Sequence, residues 1–215
     1  GHGYVNMRTA IKRSCDVYFY EVVKKLGVDR LSETTKKFGL GKKVLNGFSE
    51  ERSGTVPSTK WKLSNLGQNW YLGETLHSGI GQGYYLSTPL QLCLMTAQIA
   101  NGGYKIEPKI ISGKNDLDLR QYLNNENELK LSDMFNYKVE PLFRNQENIN
   151  FVKEAMFAST NEPGGTSYRS RLTEKQNIFA GKTGSSQIKI FTEAQREAEI
   201  KQEEIDYLSR DHALY

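Results

Sequence analysis

Apolar residues recur at helical spacing over residues 5–13 (Val5, Met7, Ala10, Ile11), and the run stops at Ser14-Cys15-Asp16. Asp16 reads as the N-cap of a second helix over 17–26, ended by Gly27. Asp29 reads as the cap of a third over 30–38, closed by Gly39. Ser14 then falls in the break between two helices, where a short polar side chain can face a cleft rather than a core. Residues 48–83 are rich in Gly, Ser and Trp with little periodicity, a pattern that predicts long packed loops. The plainest helix signal follows: Thr88 as N-cap, Pro89 in the first position, then Leu90, Leu92, Leu94, Met95 and Ile99, closing at Asn101-Gly102-Gly103. So apolar a face belongs in a core.

Beyond that helix, residues 104–111 read as a strand and 112–147, polar and asparagine-rich, as an insertion that carries little core. A helix is expected over 150–159, a turn at Pro163-Gly164-Gly165, and a strand over 178–191. Residues 192–206 carry 6 acids against 2 bases, with Glu197 four places before Lys201, and read as a charged surface extension. The chain begins without Met and ends at Asp211-His212-Ala213-Leu214-Tyr215, in what reads as a strand, so 1–215 is expected to be part of one domain cut at both ends.

Composition narrows the field. With 215 residues, 37% hydrophobic, 12 Tyr and 9 Phe, the chain can build a core. The net charge of +4 is uneven, 13 Lys/Arg against 6 Asp/Glu in residues 1–62. A basic half raises nucleic acid as a partner, but no aromatic-basic RNA motif, zinc-finger spacing or basic helix with heptads accompanies it, so no nucleic acid is expected. Cys15 and Cys93 form neither a disulfide framework nor a C-x-x-C site. No run of about 18 apolar residues is present.

The chemistry concentrates at Gly181-Lys182-Thr183-Gly184. Lys182 supplies positive potential for a carboxylate, the Thr183 hydroxyl can donate to it, and Gly184 leaves room for a substrate backbone to lie alongside as an added strand. In an ideal strand Lys182 and Thr183 point to opposite faces, so a bend is needed for both to serve one cleft. A phosphate-binding loop would need glycine at 176, where Gln176 stands. Gly79-Ile80-Gly81-Gln82-Gly83 approaches a dinucleotide fingerprint but continues with Tyr84 and follows no strand. The single S-x-x-K match, Ser186-Gln187-Ile188-Lys189, lies in a predicted strand, where residues three apart face opposite ways. His2 and Cys15 are a metal-type pair, but two ligands do not complete a tetrahedral zinc site.

Ser14-Cys15-Asp16 with the downstream Lys182-Thr183-Gly184 makes two thirds of the signature of penicillin-recognising serine acyltransferases. With Gly1-His2-Gly3-Tyr4-Val5-Asn6, Gly27-Val28-Asp29-Arg30-Leu31-Ser32, Glu51-Arg52-Ser53-Gly54, Gly79 to Tyr84, Thr88-Pro89-Leu90-Gln91, Ser185-Ser186-Gln187 and Asp211-His212-Ala213, the chain resembles the transpeptidase domain of class B penicillin-binding proteins over nearly its whole length. Within them it resembles the elongation-specific enzymes of rod-shaped Gram-negative bacteria.

That resemblance implies an α/β (α+β) fold, a five-stranded antiparallel sheet flanked by helices. The implied enzyme cross-links peptidoglycan stem peptides ending in D-Ala-D-Ala through a serine acyl-enzyme and binds β-lactams. Ser14 would relay a proton, Lys182 and Thr183 would bind the terminal carboxylate, Gly184 would border the substrate, and the Ser185 N–H would form half of an oxyanion hole. Asp16 would orient substrate, although an ionised Asp cannot donate as the commoner Asn does. The nucleophile motif is not in this chain, so the chain alone is expected to be inactive, and its exposed sheet edges to leave it marginally stable. No cofactor is required. Some relatives bind zinc through a His and a Cys matching His2 and Cys15 plus two upstream acids, so a structural zinc is conceivable in an intact protein. The implied setting is the periplasmic face of the inner membrane, beside a SEDS-type glycan polymerase and elongation-complex proteins. The alternative is a non-catalytic β-lactam or muropeptide sensor of the same fold.

Overall fold

The computed structural model describes residues 1–45, 48–108, 140–174, 177–187, 206–207 and 210–215. In chain order the described elements are α1 (Met7–Lys12), α2 (Asp16–Leu26), α3 (Val28–Lys37), α4 (Thr59–Leu66), α5 (Leu72–Gly79), α6 (Pro89–Ala100), α7 (Glu147–Asn161), a 3-10 turn (Tyr168–Ser170), β1 (Gly184–Ser186) and β2 (His212–Leu214). Two compact units emerge. One comprises Gly1–Gly27, Tyr71–Gly83 and Phe151–Tyr215, the other Val28–Trp70 and Tyr84–Asn150.

In the first unit, the Asn6 side chain accepts from Thr9 N at 2.9 Å and starts α1. The helix closes with two reverse-turn bonds, Ser14 N to Ile11 O at 3.2 Å and Cys15 N to Ala10 O at 2.9 Å. These are the paired bonds of a Schellman ending, whose left-handed position normally takes glycine. Here it is Ser14 at φ 51°, the one non-glycine residue at positive φ among the described residues. The α2 helix starts immediately with Cys15 as its N-cap, so Asp16 is the first helical residue and not the cap expected from sequence. The turn is so tight that Cys15, which donates the last closing bond of α1, is also the N-cap of α2. Against α2 lies α5, where Gly79 meets Val23: a Cβ at 79 would stand 2.5 Å from Val23 Cγ1. Val23 is buried, as are Ala155 and Ala158 on α7. Among the described residues of this unit, β1 pairs antiparallel with β2, Ser185 opposite Ala213.

The second unit is held by buried polar side chains that take over hydrogen bonds from irregular backbone. On α6, Gln91 is fully buried; its amide donates to Lys42 O (2.7 Å) and Ser53 O (2.8 Å) and accepts from Thr88 N. One turn pair further on, Gln98 donates to Phe38 O at 2.9 Å and accepts from Ile106 N at 3.1 Å. The buried Glu51 carboxylate accepts from Val44 N and Leu45 N, each at 2.8 Å. With Thr88 capping and Pro89 first, α6 matches its sequence signal.

Several expectations need correction. Residues 48–83 hold two helices as well as loops: Ser58 accepts from Trp61 N at 3.0 Å to start α4, Gly67 in the left-handed region ends it, and Glu74 reaches back to Tyr71 N at 2.8 Å to start α5. Helix α3 begins at Val28, so Asp29 lies inside it and its carboxylate instead accepts from Thr59 N at 2.9 Å. Of the strand expected over 104–111, the described part forms one bridge, Tyr104 to Pro141; 109–111 lie outside the described residues. Of the strand expected over 178–191, the described part is extended in a ladder only at Gly184–Ser186. The expected insertion 112–147 lies outside the described residues up to 139, and α7 begins at Glu147. Of the charged extension 192–206, only Asp206 is described.

Candidate active site

Two segments far apart in sequence converge in the first unit. Lys182 Nζ donates to Ser14 Oγ at 2.5 Å across 168 positions. The same ammonium donates to Thr183 O at 2.8 Å and to Thr183 Oγ1 at 3.3 Å. Thus Lys182 and Thr183 do serve one face. They lie just ahead of β1, where the chain is not yet in the ladder and strand alternation does not apply.

The local folding explains why Ser14 is presented. Holding a non-glycine residue in the left-handed region costs about 1–2 kcal/mol, and such strain is retained where the surroundings overdetermine it. Here the two reverse-turn bonds fix the backbone from behind while the hydroxyl meets Lys182 in front. The end of α7 fixes both segments. Its Asn161 amide donates to Phe179 O at 2.8 Å, and Gly181 N donates to Met156 O at 3.4 Å, which anchors the approach to Lys182. Glu162, directly after α7, accepts from both Arg8 Nη atoms and from Lys12 Nζ at 2.8 Å, which anchors α1 and hence Ser14.

These contacts set the charges. The Arg8 and Lys12 hydrogen bonds hold the Glu162 carboxyl far below the usual value, at about 2. Lys182 is half-buried, and its desolvation pushes the ammonium below its ordinary value, partly offset by the negative charge of Asp16. Asp16 is exposed at the first turn of α2.

Gly184 and Ser185 sit on β1 and are exposed. A Cβ at Gly184 would meet only Leu214 Cβ, at 3.8 Å, so the fold's own packing does not demand glycine there. Beside Thr183 opens a cleft of about 200 Å³ lined by Thr166, Ser167, Ser170, Phe179 and Tyr215. The Ser167 hydroxyl is buried in this region without a hydrogen-bond partner. Sequence reasoning missed Thr166, whose hydroxyl accepts from Thr183 at 3.3 Å, and Gln82, whose amide donates to Ser185 O at 3.0 Å. Gln82 stands between Gly81 and Gly83, both at positive φ, in the glycine-rich run set aside as a nucleotide motif. Those flanking glycines were the available signal for it.

His2 is exposed and Cys15 is buried at the α2 N-cap. Among the described residues no three His, Cys, Asp or Glu side chains gather to hold a metal ion, so this pair does not fit a closed zinc site by itself. No described helix is long and apolar enough to cross a membrane.

The structure thus brings the Ser14 break and the segment ahead of β1 into contact, with the cleft opening beside Thr183. The sequence matches the penicillin binding protein transpeptidase domain over residues 1–200, and the chain belongs to that family. It is 32% identical over 219 residues to the peptidoglycan D,D-transpeptidase MrdA of Salmonella typhimurium, covering all of this chain and 32% of the relative. Among solved structures it resembles the penicillin-binding protein PBP2 from Helicobacter pylori in complex with MreC, with TM-score 0.73, 29% identity, and coverage of 99% of this chain and 33% of that one. It also resembles Pseudomonas aeruginosa PBP2 in complex with WCK 5153, with TM-score 0.70, 34% identity, and coverage of 86% and 39%. The chain therefore has the mixed helix-and-sheet fold of these transpeptidases and spans about a third of the length of the relatives it matches.

Proposed function

We propose that this chain is the substrate-binding part of a peptidoglycan D,D-transpeptidase. The reading rests above all on the Lys182–Ser14 hydrogen bond, which joins the two motifs in one place. In the complete enzyme a serine from an S-x-x-K helix attacks the D-Ala-D-Ala carbonyl, the C–N bond to the terminal D-Ala breaks, and an amine of a neighbouring stem peptide resolves the ester. Ser14 relays the proton from the attacking hydroxyl to the leaving amine. Lys182, made easier to deprotonate by burial, is suited to exchange that proton and to attract the terminal carboxylate. Thr183 donates to the carboxylate. Asp16 tunes Lys182 and orients the peptide. The exposed glycine at 184 lets the peptide run beside β1, and the Ser185 N–H supplies half of the oxyanion hole.

The remaining expectations belong to the same proposal. The sheet is five-stranded in the complete domain, of which 1–215 is a part, with 112–147 an insertion and 192–206 a surface extension. No cofactor takes part; a zinc ion at His2 and Cys15 would need two further ligands from outside this chain. The complete protein works on the periplasmic face of the inner membrane beside a glycan polymerase and elongation-complex proteins, as the MreC complex of its H. pylori relative favours. The test is labelling with fluorescent penicillin followed by peptide mapping. A protein extended upstream is expected to be acylated at an S-x-x-K serine and to turn over D-Ala-D-Ala peptides, while residues 1–215 alone stay unlabelled. Labelling at Ser186 of the short chain would overturn the assignment; acylation without turnover would make the protein a sensor.

A further inference from the structure

The turn after α7 carries Thr166. Thr166 makes three contacts: its backbone N donates to Lys12 O at 3.2 Å, its hydroxyl shares a 3.0 Å hydrogen bond with the fully buried Ser159 hydroxyl, and it accepts from Thr183 Oγ1 at 3.3 Å. Ser167 N donates to Ser159 O at 3.1 Å, and a Cβ at Gly165 would fall 2.2 Å from that same carbonyl, so the turn is pressed onto α7 with little freedom. The position of Thr166 is set by the scaffold, while the residue is exposed and lines the cleft.

We propose that Thr166 is a positioning residue that orients the Thr183 hydroxyl for a substrate carboxylate, through a reversible chain Ser159–Thr166–Thr183. This rests on the carboxylate-binding role proposed above for Thr183. A hydroxyl has one hydrogen. Without ligand, Thr183 already accepts from Lys182 and directs its hydrogen to Thr166. To donate to a carboxylate it must release Thr166, which then turns its own hydrogen toward Thr183 and accepts from Ser159. The chain reverses by rotating three O–H bonds, with no heavy atom displaced. Each hydroxyl keeps a partner in both states, and donation from Thr166 polarises the Thr183 O–H toward the anion. The same bond holds Thr183 in the rotamer that faces the cleft. Replacing Thr166 by valine keeps the shape and removes the relay.

The experiment compares acylation rates of the upstream-extended protein by benzylpenicillin and by its methyl ester, which lacks the anionic carboxylate. Thr166→Val is expected to slow the acid about tenfold, equivalent to 1.4 kcal/mol, and to leave the ester rate within about twofold. Thr166→Ser, which keeps the hydroxyl, restores the acid rate; Ser159→Ala, at the far end of the chain, gives a smaller loss again confined to the acid. Equal slowing of acid and ester by Thr166→Val, or no slowing of the acid, overturns the relay. A wild-type protein that does not prefer acid over ester overturns the carboxylate reading of Thr183 itself, a result visible before any variant is made.

Discussion

Replacing Glu162 by Gln tests the brace that holds α1, and with it Ser14, to the end of α7. The carboxylate takes two hydrogen bonds from Arg8 and one from Lys12, one helical turn apart on α1. Lowering its pKa from 4.5 to about 2 corresponds, at 1.36 kcal/mol per pH unit, to about 3.4 kcal/mol if nothing screens the charges. The Glu162 and Arg8 side chains are 34% and 39% exposed, so most of that is lost to solvent. About 1–1.5 kcal/mol is the realistic contribution, which includes a few tenths from leaving two cations four residues apart without their anion. For a domain of this size that is roughly 2–6 °C in Tm. Because the folded-state pKa lies below the unfolded one, the stabilisation is complete above pH 4.5 and disappears as pH falls through about 2. Thermal melts of wild type and Glu162→Gln should therefore differ at pH 7, converge toward pH 2, and converge at pH 7 in 1 M salt. A difference that persists unchanged at pH 2, or none at pH 7, would refute this account of the brace.

Three further outcomes follow from the site and its support. Lys182 titrates below the ordinary lysine value because it is half-buried, while Asp16 pushes the other way. If the reaction needs the ammonium, its rate falls on the alkaline side at a pH below 10.5, and Asp16→Asn moves that limb lower still; a limb moved upward in a pH–rate profile would contradict the stated causes. Lys182 also leaves a stability signature: the unfolded chain binds the proton more readily between the lowered value and 10.5, so this group's contribution to stability rises with pH there. Gly79→Ala places a methyl 2.5 Å from Val23 Cγ1 and should cost about 1–3 kcal/mol in a denaturant titration. Adding Val23→Ala should return part of it, so the pair destabilises less than the sum of the two single changes; strict additivity would mean the helices repack elsewhere.

The legible parts of the sequence were those whose cause is local. Helix α6 announced itself through Thr88, Pro89 and its run of leucines, and the Ser14 break through the stop in apolar spacing. Helices α4 and α5 did not, because their apolar faces are short and interrupted and their starts depend on Ser58 and Glu74, which look like ordinary loop residues in a stretch rich in Gly and Ser. Asp16 and Asp29 misled for a common reason: the preceding turns are tight enough that each helix begins one residue or more earlier than a free capping residue would allow. Lys182 and Ser14 were readable as motifs, yet their meeting depends on Asn161, Met156 and Glu162, whose contacts reach across 18 to 154 positions. No spacing rule encodes those. Thr166 and Gln82 escaped notice for the same reason, since each matters only through a partner brought close by folding.

The role proposed for the Ser14–Lys182 contact is tested most directly by a crystal structure of the penicillin adduct of the upstream-extended protein. The account predicts the drug's carboxylate within hydrogen-bonding distance, about 2.6–3.2 Å, of Thr183 Oγ1 and beside the Lys182 ammonium, with the Ser14 hydroxyl facing the newly formed ester. An adduct whose carboxylate points to solvent or to another wall of the domain, with Ser14 and Lys182 still bonded to each other and untouched, would contradict it.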